Sequence, residues 1–355
     1  MKVLHLASSN RWTGAAAPAL AETEALRLAG IDAHYGYIGG YKLESRIGGH
    51  EWTHPILSRK QNPASLIADV RRLRSMMRDG SFDVVHAHLS WDHVVARIAL
   101  RGTAARLVRT FHARRTLRSD PLNRLMLRRT DAFCVVNEEF VKLPLFARRP
   151  VVFTPPPVDR RTFSPAGPDA RASYGIGPED PLIGIIGKVA PGRGFEDALQ
   201  ALVRVREVEN LRLLVIGHGE HRPALERMAA DLAVSSRVIW AGYHETDLVE
   251  HLRTPDLMLF TAQGSDEGHR AVIESMACGT PVLSYPIPGV NALMGGMAEE
   301  LMTRESTPDS LAAAIREIFP RRVRALSAQA VDVANAFDYE AAARRLLELY
   351  ARSEA

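Results

Sequence analysis

Short apolar segments alternate with helical segments along the whole chain, and this alternation constrains the fold more than any other feature. The segments with the composition of buried strands are residues 3–7, 33–38, 84–87, 107–110, 132–136 and 151–154, then 182–186, 213–216, 238–241, 257–261 and 282–284. Helical patterns lie between most of them, among them residues 16–28, 64–77, 195–208, 223–232 and 311–318. Because strands that alternate with helices form parallel sheets covered on both faces, we predict an α/β protein with two series of five or six strands.

A proline-rich stretch separates the two series. Residues 154–159 have the sequence Thr-Pro-Pro-Pro-Val-Asp, and further X-Pro pairs follow before residue 179. Since proline cannot continue a strand ladder and stiffens a connection, we predict Rossmann-like, doubly wound domains at 1–157 and 158–337. A length of 355 residues suits two such domains. An amphipathic helix at about 338–352 would pack on either domain, and packing back on the first is one of the two options.

The composition is that of a globular protein, with 46% apolar and 24% charged residues. No apolar run reaches the ~18 residues that a membrane-spanning helix needs, and residues 1–6 turn polar too soon for a signal peptide. The two cysteines, Cys134 and Cys278, lie in apolar surroundings and are predicted to be reduced core residues. We therefore expect a cytoplasmic protein.

Positive charge is concentrated in the first half of the sequence. Residues 1–160 carry 25 Lys and Arg against 14 Asp and Glu, whereas the whole chain carries 45 against 41. A basic half is typical of proteins with an anionic partner, such as a phosphorylated acceptor, a phospholipid surface or nucleic acid. Arginine on solvated helix faces is the alternative explanation, and the charge pattern by itself leaves both open.

Residues 264–282 form the most informative motif, with the sequence Gly-Ser-Asp-Glu-Gly-His-Arg-Ala-Val-Ile-Glu-Ser-Met-Ala-Cys-Gly-Thr-Pro-Val. Two acids eight positions apart, Asp266 and Glu274, lie on a glycine-containing loop and on the helix that follows it. Ligands of open α/β sheets bind at the carboxyl ends of strands, where such loops and helix N-termini meet. Both acids are therefore candidates for binding one ligand with several hydroxyl groups.

A second motif places two cations, Lys188 and Arg193, on a glycine-rich loop between a predicted strand and a predicted helix. Two converging cations at a helix N-terminus suit a diphosphate, and we favour this over a solvated basic turn. The first loop, around Gly14, is a weaker signal that a simple turn explains better. The Gly217-His218-Gly219 turn is also weak, because packing explains it as well as ligand contact does.

Three histidines end predicted strands: His86 and His88 in a His-x-His pair, and His112 after Thr110-Phe111. A His-x-His pair could hold a metal ion, but no third ligand follows at a recognisable spacing, so we expect no metal. Histidines at the carboxyl ends of parallel strands are better explained as cleft residues that hydrogen-bond a substrate. Of His86 and His88, one should face a packed layer and the other the cleft.

The order of these motifs resembles that of the GT-B glycosyltransferases of the retaining family 4, or group 1. The shared order is a glycine loop, strand-end histidines, a Pro-Val-Asp linker at 157–159, the Lys188–Arg193 loop, Gly-x-Gly, and an acid-x7-acid motif before Ser-Met-Ala-x-Gly-x-Pro-Val. The resemblance covers nearly the whole chain and implies two Rossmann-like domains facing across a cleft. The chain departs from the family pattern where Lys188 and Arg193 are exchanged, where Asp266 replaces Glu and where His269 replaces a glycine.

The resemblance also implies a role for each motif. Lys188 and Arg193 would bind the donor diphosphate, and Glu274 would hold the ribose. Asp266, or Glu267 if the loop is one residue shorter, would face the donor sugar. His112 would lie near that sugar and would complete the catalytic group. The other donor contacts would come from Gly14, Gly187, Gly217, Gly242, Tyr243, Gly268, His269 and Arg270, and the acceptor contacts from His88, Arg114 and Arg115.

The implied function is hexosyl-type transfer, with retention of configuration, from a nucleotide-diphosphate sugar to a glycan or lipid-linked acceptor. It would need no metal or other cofactor and would serve cell-envelope polysaccharide, lipopolysaccharide or glycolipid biosynthesis, with the basic first domain docked at the inner face of the membrane. The alternatives are a nucleotide-sugar epimerase on the same fold, a non-catalytic protein that binds anionic polymers, and an inactive transferase. Poor interleaving of aromatic and basic residues argues against a nucleic acid partner.

Overall fold

The structure, a computed structural model, describes residues 1–47, 49–118, 120–146, 149–261, 268–319 and 323–352. The chain folds into two compact units. Of the described residues, unit 1 contains 1–157, Gly268 and 337–352, and unit 2 contains 158–261 and 269–336. The first crossing from one unit to the other therefore falls in the proline-rich stretch.

Unit 1 is built on a parallel sheet of seven strands in the order β3-β2-β1-β4-β5-β6-β7. Unit 2 has a parallel sheet of five strands in the order β10-β9-β8-β11-β12. The strands are β1 (Lys2–Leu6), β2 (Asp32–Ile38), β3 (Thr53–Leu57), β4 (Val84–Ala87), β5 (Arg106–Phe111), β6 (Ala132–Val135), β7 (Val151–Phe153), β8 (Leu182–Ile186), β9 (Arg212–Ile216), β10 (Val238–Gly242), β11 (Leu257–Phe260) and β12 (Val282–Ser284).

The strand order fixes where each sheet can bind a ligand. In both sheets the chain adds two strands on one side of the first strand and then crosses to its other side. The topological switch point therefore lies between β1 and β4 in unit 1, and between β8 and β11 in unit 2. Ligands of doubly wound sheets bind beyond the carboxyl ends of the strands at this point.

Helices cover the two sheets. They are α1 (Ala16–Leu28), α2 (Lys42–Ile47), α3 (Pro63–Gly80), α4 (Ser90–Ala99), α5 (Pro121–Leu127), α6 (Phe195–Arg204), α7 (Arg222–Asp231), α8 (Leu248–Arg253), α9 (Arg270–Ala277), α10 (Val290–Met294), α11 (Ala298–Leu301), α12 (Pro308–Ile318), α13 (Val323–Asn335) and α14 (Tyr339–Arg352). Within the described ranges, every helix is too short or too polar to cross a bilayer.

The last helix, α14, packs in unit 1 and not in unit 2. Its Leu346, Leu349 and Tyr350 are buried in one apolar cluster with Val3 of β1 and Leu26 of α1. Fully burying a leucine side chain contributes about 1.5–3 kcal/mol, so these contacts hold the helix firmly. The structure thus decides between the two packings that the sequence left open.

One expectation about strand number was wrong, because the first sheet has seven strands and not five or six. The additional strand, β3, contains Pro55 in its middle, and proline weakens a strand signal. β3 lies at the edge of the sheet, where the missing N–H of a proline is tolerated.

Candidate functional site

The first loop at the switch point of unit 2 is residues 187–194, between β8 and α6. Gly187, Gly192 and Gly194 have φ angles of 155°, 68° and 77°, which side-chain-bearing residues rarely adopt. Gly194 is the N-cap of α6, and a Cβ added there would lie only 2.1 Å from Thr261 Oγ1, just past β11. The glycines therefore let the loop turn tightly and let α6 begin directly against the neighbouring strand.

This loop carries both predicted phosphate ligands. Lys188 is exposed and Arg193 is partly buried. The loop leads into the N-terminus of the ten-residue helix α6, whose unpaired amides and dipole favour negative charge. Two cations and a helix N-terminus at a switch point form a site that suits phosphate groups.

The Gly217-His218-Gly219 turn packs against that loop. A Cβ added at Gly217 would lie 1.9 Å from the carbonyl oxygen of Gly187, and one at Gly219 would lie 1.9 Å from that of Val189. The amide of Val189 donates to the carbonyl of His218 at 3.0 Å. Close backbone packing therefore accounts for these glycines, and the turn supports the loop at 187–194.

Two aromatic rings stand together beyond the carboxyl ends of β9 and β10. Tyr243 is 60% exposed and follows Gly242, which ends β10 with a φ of 86°. The ring of His218, also exposed, meets Tyr243 edge to face with centroids 5.1 Å apart. Exposed aromatic faces suit a planar ligand such as a nucleobase.

The other side of this switch point is formed by the start of α9. Glu274 is 8% exposed, and its carboxylate lies 3.0 Å from Arg270 Nε, one turn earlier. His269 is the N-cap with a left-handed φ of 47°, which explains physically why a glycine suits this position. Its Nε2–H donates to the carbonyl of Pro288 at 3.1 Å. Gly268 is buried, whereas the predicted acids Asp266 and Glu267 lie outside the described residues.

A cavity of about 340 Å³ lies at the switch point of unit 1. It is lined by the loop after β1 and by the residues that end or follow β4 and β5, including Gly14, His88, Arg109, His112 and Arg115. The sequence had assigned four of these five residues to the site. Arg114 is instead turned toward Glu139, at 3.0 Å, with its guanidinium over the Phe140 ring.

A larger cavity of about 850 Å³ in the same unit lies at the opposite edge of the sheet. Asp83 and Arg106, which line it, stand at the amino-terminal ends of β4 and β5. Since parallel sheets bind ligands at their carboxyl edge, we assign the functional site to the smaller cavity.

Four histidines of unit 1 form, with Tyr350 and Thr110, one hydrogen-bonded chain that starts at the cavity. Its contacts are His112 Nε2 to His88 Nδ1 (3.1 Å), His88 Nε2 to His5 Nδ1 (2.9 Å), His5 Nε2 to Tyr350 OH (3.2 Å), Tyr350 OH to His86 Nδ1 (2.8 Å) and His86 Nε2 to Thr110 Oγ1 (2.7 Å). Both histidines of the His-x-His pair are buried, and of the two it is His88 that borders the cavity. Burial lowers the pKa of His112 and of His5 to about 3, so both are neutral at pH 7.

Arg109 is a cavity residue that the sequence reasoning missed. It is 5% exposed, and its guanidinium contacts His93 Nδ1 at 3.0 Å and donates to Ser90 Oγ at 3.1 Å. Burial lowers its pKa to about 10, which leaves it cationic at pH 7. The available signal was an arginine in the middle of a mostly apolar strand segment, Leu107–Phe111, because a buried cation needs a reason to be there.

Asp92 holds the cavity wall in place. Its carboxylate accepts hydrogen bonds from the backbone amides of His88 and Leu89, each at 3.0 Å, and from Ser8 Oγ at 3.2 Å. The first loop, the end of β4 and the start of α4 are therefore tied to one buried side chain. Burial raises the pKa of Asp92 to about 7.

Two family models match this chain, one on each side of the unit boundary. Residues 20–162 match Glycosyltransferase Family 4, and residues 180–320 match Glycosyl transferases group 1. A D-inositol 3-phosphate glycosyltransferase of Segniliparus rotundus is 29% identical over 205 residues, which cover 55% of this chain and 45% of the relative. The match thus spans less than half of that relative's length. A 2-deoxystreptamine glucosyltransferase of Streptomyces kanamyceticus is 25% identical over 284 residues, or 72% of this chain and 73% of the relative.

A solved structure, that of Anabaena HepE in complex with UDP, is similar over 99% of this chain and 100% of that chain. The TM-score is 0.81 and the sequence identity is 17%. The complex of the same protein with UDP-glucose gives a TM-score of 0.76 at 18% identity. At this identity the likeness establishes the fold class, that of the two Rossmann-like parallel-sheet units predicted from the sequence.

Proposed function

Because this chain belongs to the family 4 (group 1) glycosyltransferases and has the GT-B fold, we propose that it transfers a sugar from a nucleotide-diphosphate sugar to a hydroxyl group of an acceptor. The observation that carries the proposal is the loop at 187–194, where Lys188 and Arg193 precede the N-terminus of α6 at the switch point of unit 2. The solved HepE complexes contain UDP and UDP-glucose, so a uridine nucleotide is the first donor to test.

The layout of unit 2 indicates which residues would bind each part of the sugar donor. The diphosphate would bind the loop at 187–194, and the base would lie against the rings of His218 and Tyr243. Glu274 would accept hydrogen bonds from the ribose hydroxyls, and its contact with Arg270 would orient the carboxylate.

Retention of configuration is part of the proposal and is inferred from the family. The acceptor hydroxyl would attack on the face that the leaving group departs from, and a donor phosphate oxygen would take its proton. Lys188, Arg193 and the α6 N-terminus would stabilise the charge that develops on the leaving diphosphate, a role that metal ions have in other enzymes. Added Mg²⁺ or Mn²⁺ should therefore leave the rate unchanged, and a higher rate would oppose this mechanism.

The acceptor would bind the cavity of unit 1. A volume of about 340 Å³ suits one polyhydroxylated ring, and Arg109 and Arg115 suit a negatively charged group on it. Two relatives are named for acceptors of this size, D-inositol 3-phosphate and 2-deoxystreptamine. We infer an anionic polyol acceptor, either free or at the end of a glycan or lipid carrier.

A lipid carrier would place the protein at a membrane, in cell-envelope polysaccharide, lipopolysaccharide or glycolipid synthesis. The feature that supports this is a set of exposed arginines on unit 1, which are Arg71, Arg72 and Arg78 of α3 and Arg124 of α5. Basic side chains close to a membrane surface are attracted to anionic lipid headgroups by about 1 kcal/mol per charge. Flotation with anionic vesicles but not with neutral ones is expected, and equal recovery with both would remove the membrane from the proposal.

The test is incubation of the purified protein with a panel of nucleotide-diphosphate sugars, with and without phosphorylated and neutral polyols. Transfer predicts that free nucleoside diphosphate and a glycosylated acceptor appear together, and NMR of the product should show the anomeric configuration of the donor. Isomerised donor without any acceptor would indicate an epimerase. Salt-sensitive binding of anionic polymers without any donor turnover would indicate a non-catalytic protein.

A further inference from the structure

Four side chains with metal-ligating atoms meet in the core of unit 1. They are His5 of β1, Glu22 of α1, and His86 and His88 at the end of β4. Each is at most 2% exposed, and one ligand atom from each lies within 4.8 Å of the others. The sequence shows only the His-x-His pair, and the fold adds two ligands from other elements.

Glu22 is the member of this cluster that takes no part in the hydrogen-bonded chain. Its Oε2 is buried and has no hydrogen-bond partner among the described residues. The same oxygen lies 3.7 Å from His5 Nδ1 and 3.7 Å from His88 Nε2. A buried carboxylate without a partner is costly, so it either stays protonated or faces a cation.

The three atoms form a triangle of suitable size for a metal ion. His5 Nδ1 and His88 Nε2 are 2.9 Å apart, and each lies 3.7 Å from Glu22 Oε2. The point equidistant from the three atoms is about 2.0 Å from each, which matches Zn–N and Zn–O bond lengths. We propose that unit 1 binds a structural Zn²⁺ ion through His5, Glu22 and His88, and that His86 becomes the fourth ligand when its Nδ1 exchanges its contact with Tyr350 OH for the ion.

The surrounding hydrogen bonds orient both imidazole ligands toward the ion. His5 Nε2–H would donate to Tyr350 OH at 3.2 Å, and His88 Nδ1–H would donate to His112 Nε2 at 3.1 Å. Without metal, one of His5 Nδ1 and His88 Nε2 donates to the other at 2.9 Å. With zinc bound, the two outer protons would leave both of these atoms unprotonated, so each could give its lone pair to the ion. Zinc ligands of this kind usually have their second nitrogen hydrogen-bonded in this way.

The zinc site also reaches the cavity of unit 1. With His88 donating to its Nε2, neutral His112 carries its proton on Nδ1, an atom that is buried and has no partner among the described residues. The metal would therefore fix His112 as a hydrogen-bond donor. Because the ligands are buried, the ion would bind as the chain folds and would stabilise unit 1.

The first measurement is the zinc content of untagged protein after dialysis against EDTA, measured by inductively coupled plasma mass spectrometry. Wild type should retain about one zinc ion per chain, as a closed structural site does. Glu22→Gln, which keeps the side-chain size, should retain at least tenfold less. The matched control is His54→Gln, because His54 and His34 form another 2.9 Å pair in unit 1, which belongs to no metal-ligand cluster in the described part of the chain. That control should retain zinc like wild type.

The second measurement needs no variant that might fold poorly. Wild type is unfolded with denaturant and chelator, then refolded with no metal, with Zn²⁺ or with Mg²⁺. Zn²⁺ alone should raise the melting temperature of wild type and of His54→Gln, and it should not raise that of Glu22→Gln.

Absence of zinc from wild type together with no thermal response to Zn²⁺ would overturn the proposal. If Zn²⁺ leaves the melting temperature of wild type unchanged and Glu22→Gln melts at a higher temperature than metal-free wild type, Glu22 is simply a buried protonated acid. Neither readout depends on sugar transfer.

Discussion

Arg270 and Glu274 form an ion pair at 3.0 Å across one turn of α9, and the carboxylate is largely shielded from solvent. The same spacing occurs on α7, where Arg222 and Glu226 pair at 2.7 Å with both side chains over 40% exposed. The two ion pairs have the same spacing, but only the one on α9 lies at the switch point of unit 2. A functional role of Glu274 can therefore be separated from the general effect of losing such a pair.

Replacing Glu274 should weaken donor binding. Hydrogen bonds from ribose hydroxyls to a carboxylate contribute about 1.5–3 kcal/mol, so Glu274→Ala should bind UDP at least tenfold more weakly. Glu226→Ala, the matched surface pair, should bind UDP like wild type. Isothermal titration calorimetry of the three proteins makes the comparison, and equal affinity in Glu274→Ala and wild type would contradict the assignment.

A methyl group at Gly217 should disrupt the packing of the two glycine turns. The added Cβ would lie 1.9 Å from Gly187 O, and the φ of 135° is strained for any side chain. We expect Gly217→Ala to lower the free energy of unfolding by about 2 kcal/mol or more. At Gly175, with a φ of 61° and open space around it, alanine should cost about 1 kcal/mol. Similar urea midpoints for the two variants would show that the contact relaxes easily.

Removing the hydroxyl of Tyr350 should destabilise unit 1. That oxygen is fully buried and contacts His86 Nδ1 at 2.8 Å and His5 Nε2 at 3.2 Å. Tyr350→Phe leaves buried nitrogens without a partner, which should cost about 1–3 kcal/mol. Tyr339→Phe on the same helix removes a partly buried contact to Glu24 and should cost less than about 1 kcal/mol. Urea denaturation measures both, and an equal loss would argue against the buried chain.

The thiols should be inert in the native protein. Cys134 and Cys278 are buried, and burial raises the pKa of Cys278 to about 12 and that of Cys134 higher still. Both are therefore protonated at pH 8, and only a thiolate reacts readily. Ellman's reagent should detect no rapidly reacting thiol in native protein and two after denaturation. A fast native thiol at pH 8 would contradict the buried placement.

The parts of the fold that could be predicted from sequence are those encoded locally. β4, β8 and β12 have the predicted bounds because each is a short, mainly apolar run between turn signals. β3 was missed because Pro55 obscures its pattern, and only its place at the edge of the sheet makes that proline tolerable.

The candidate site likewise has parts that could be predicted locally and parts that depend on the fold. The loop with Lys188 and Arg193 is continuous in sequence, so its position between strand and helix could be inferred directly. The packing role of Gly217 depends on a backbone atom from another loop, and the meeting of His5 with His88 depends on β1 lying beside β4. Such contacts follow from strand order, which periodicity does not specify. The choice between Asp266 and Glu267 stays a prediction, because both lie outside the described residues.

The central claim is that unit 2 binds the diphosphate of a sugar donor through the loop at 187–194. Its most direct test is kcat/KM for the donor in Lys188→Ala and in Arg193→Ala, with Arg227→Ala, an exposed arginine of α7, as the control. Losing a charge-assisted contact to the leaving group should cost about 2 kcal/mol or more, which is a fall of roughly 30-fold or greater in kcat/KM. Arg227→Ala should turn over like wild type. Wild-type turnover in both Lys188→Ala and Arg193→Ala would contradict the account.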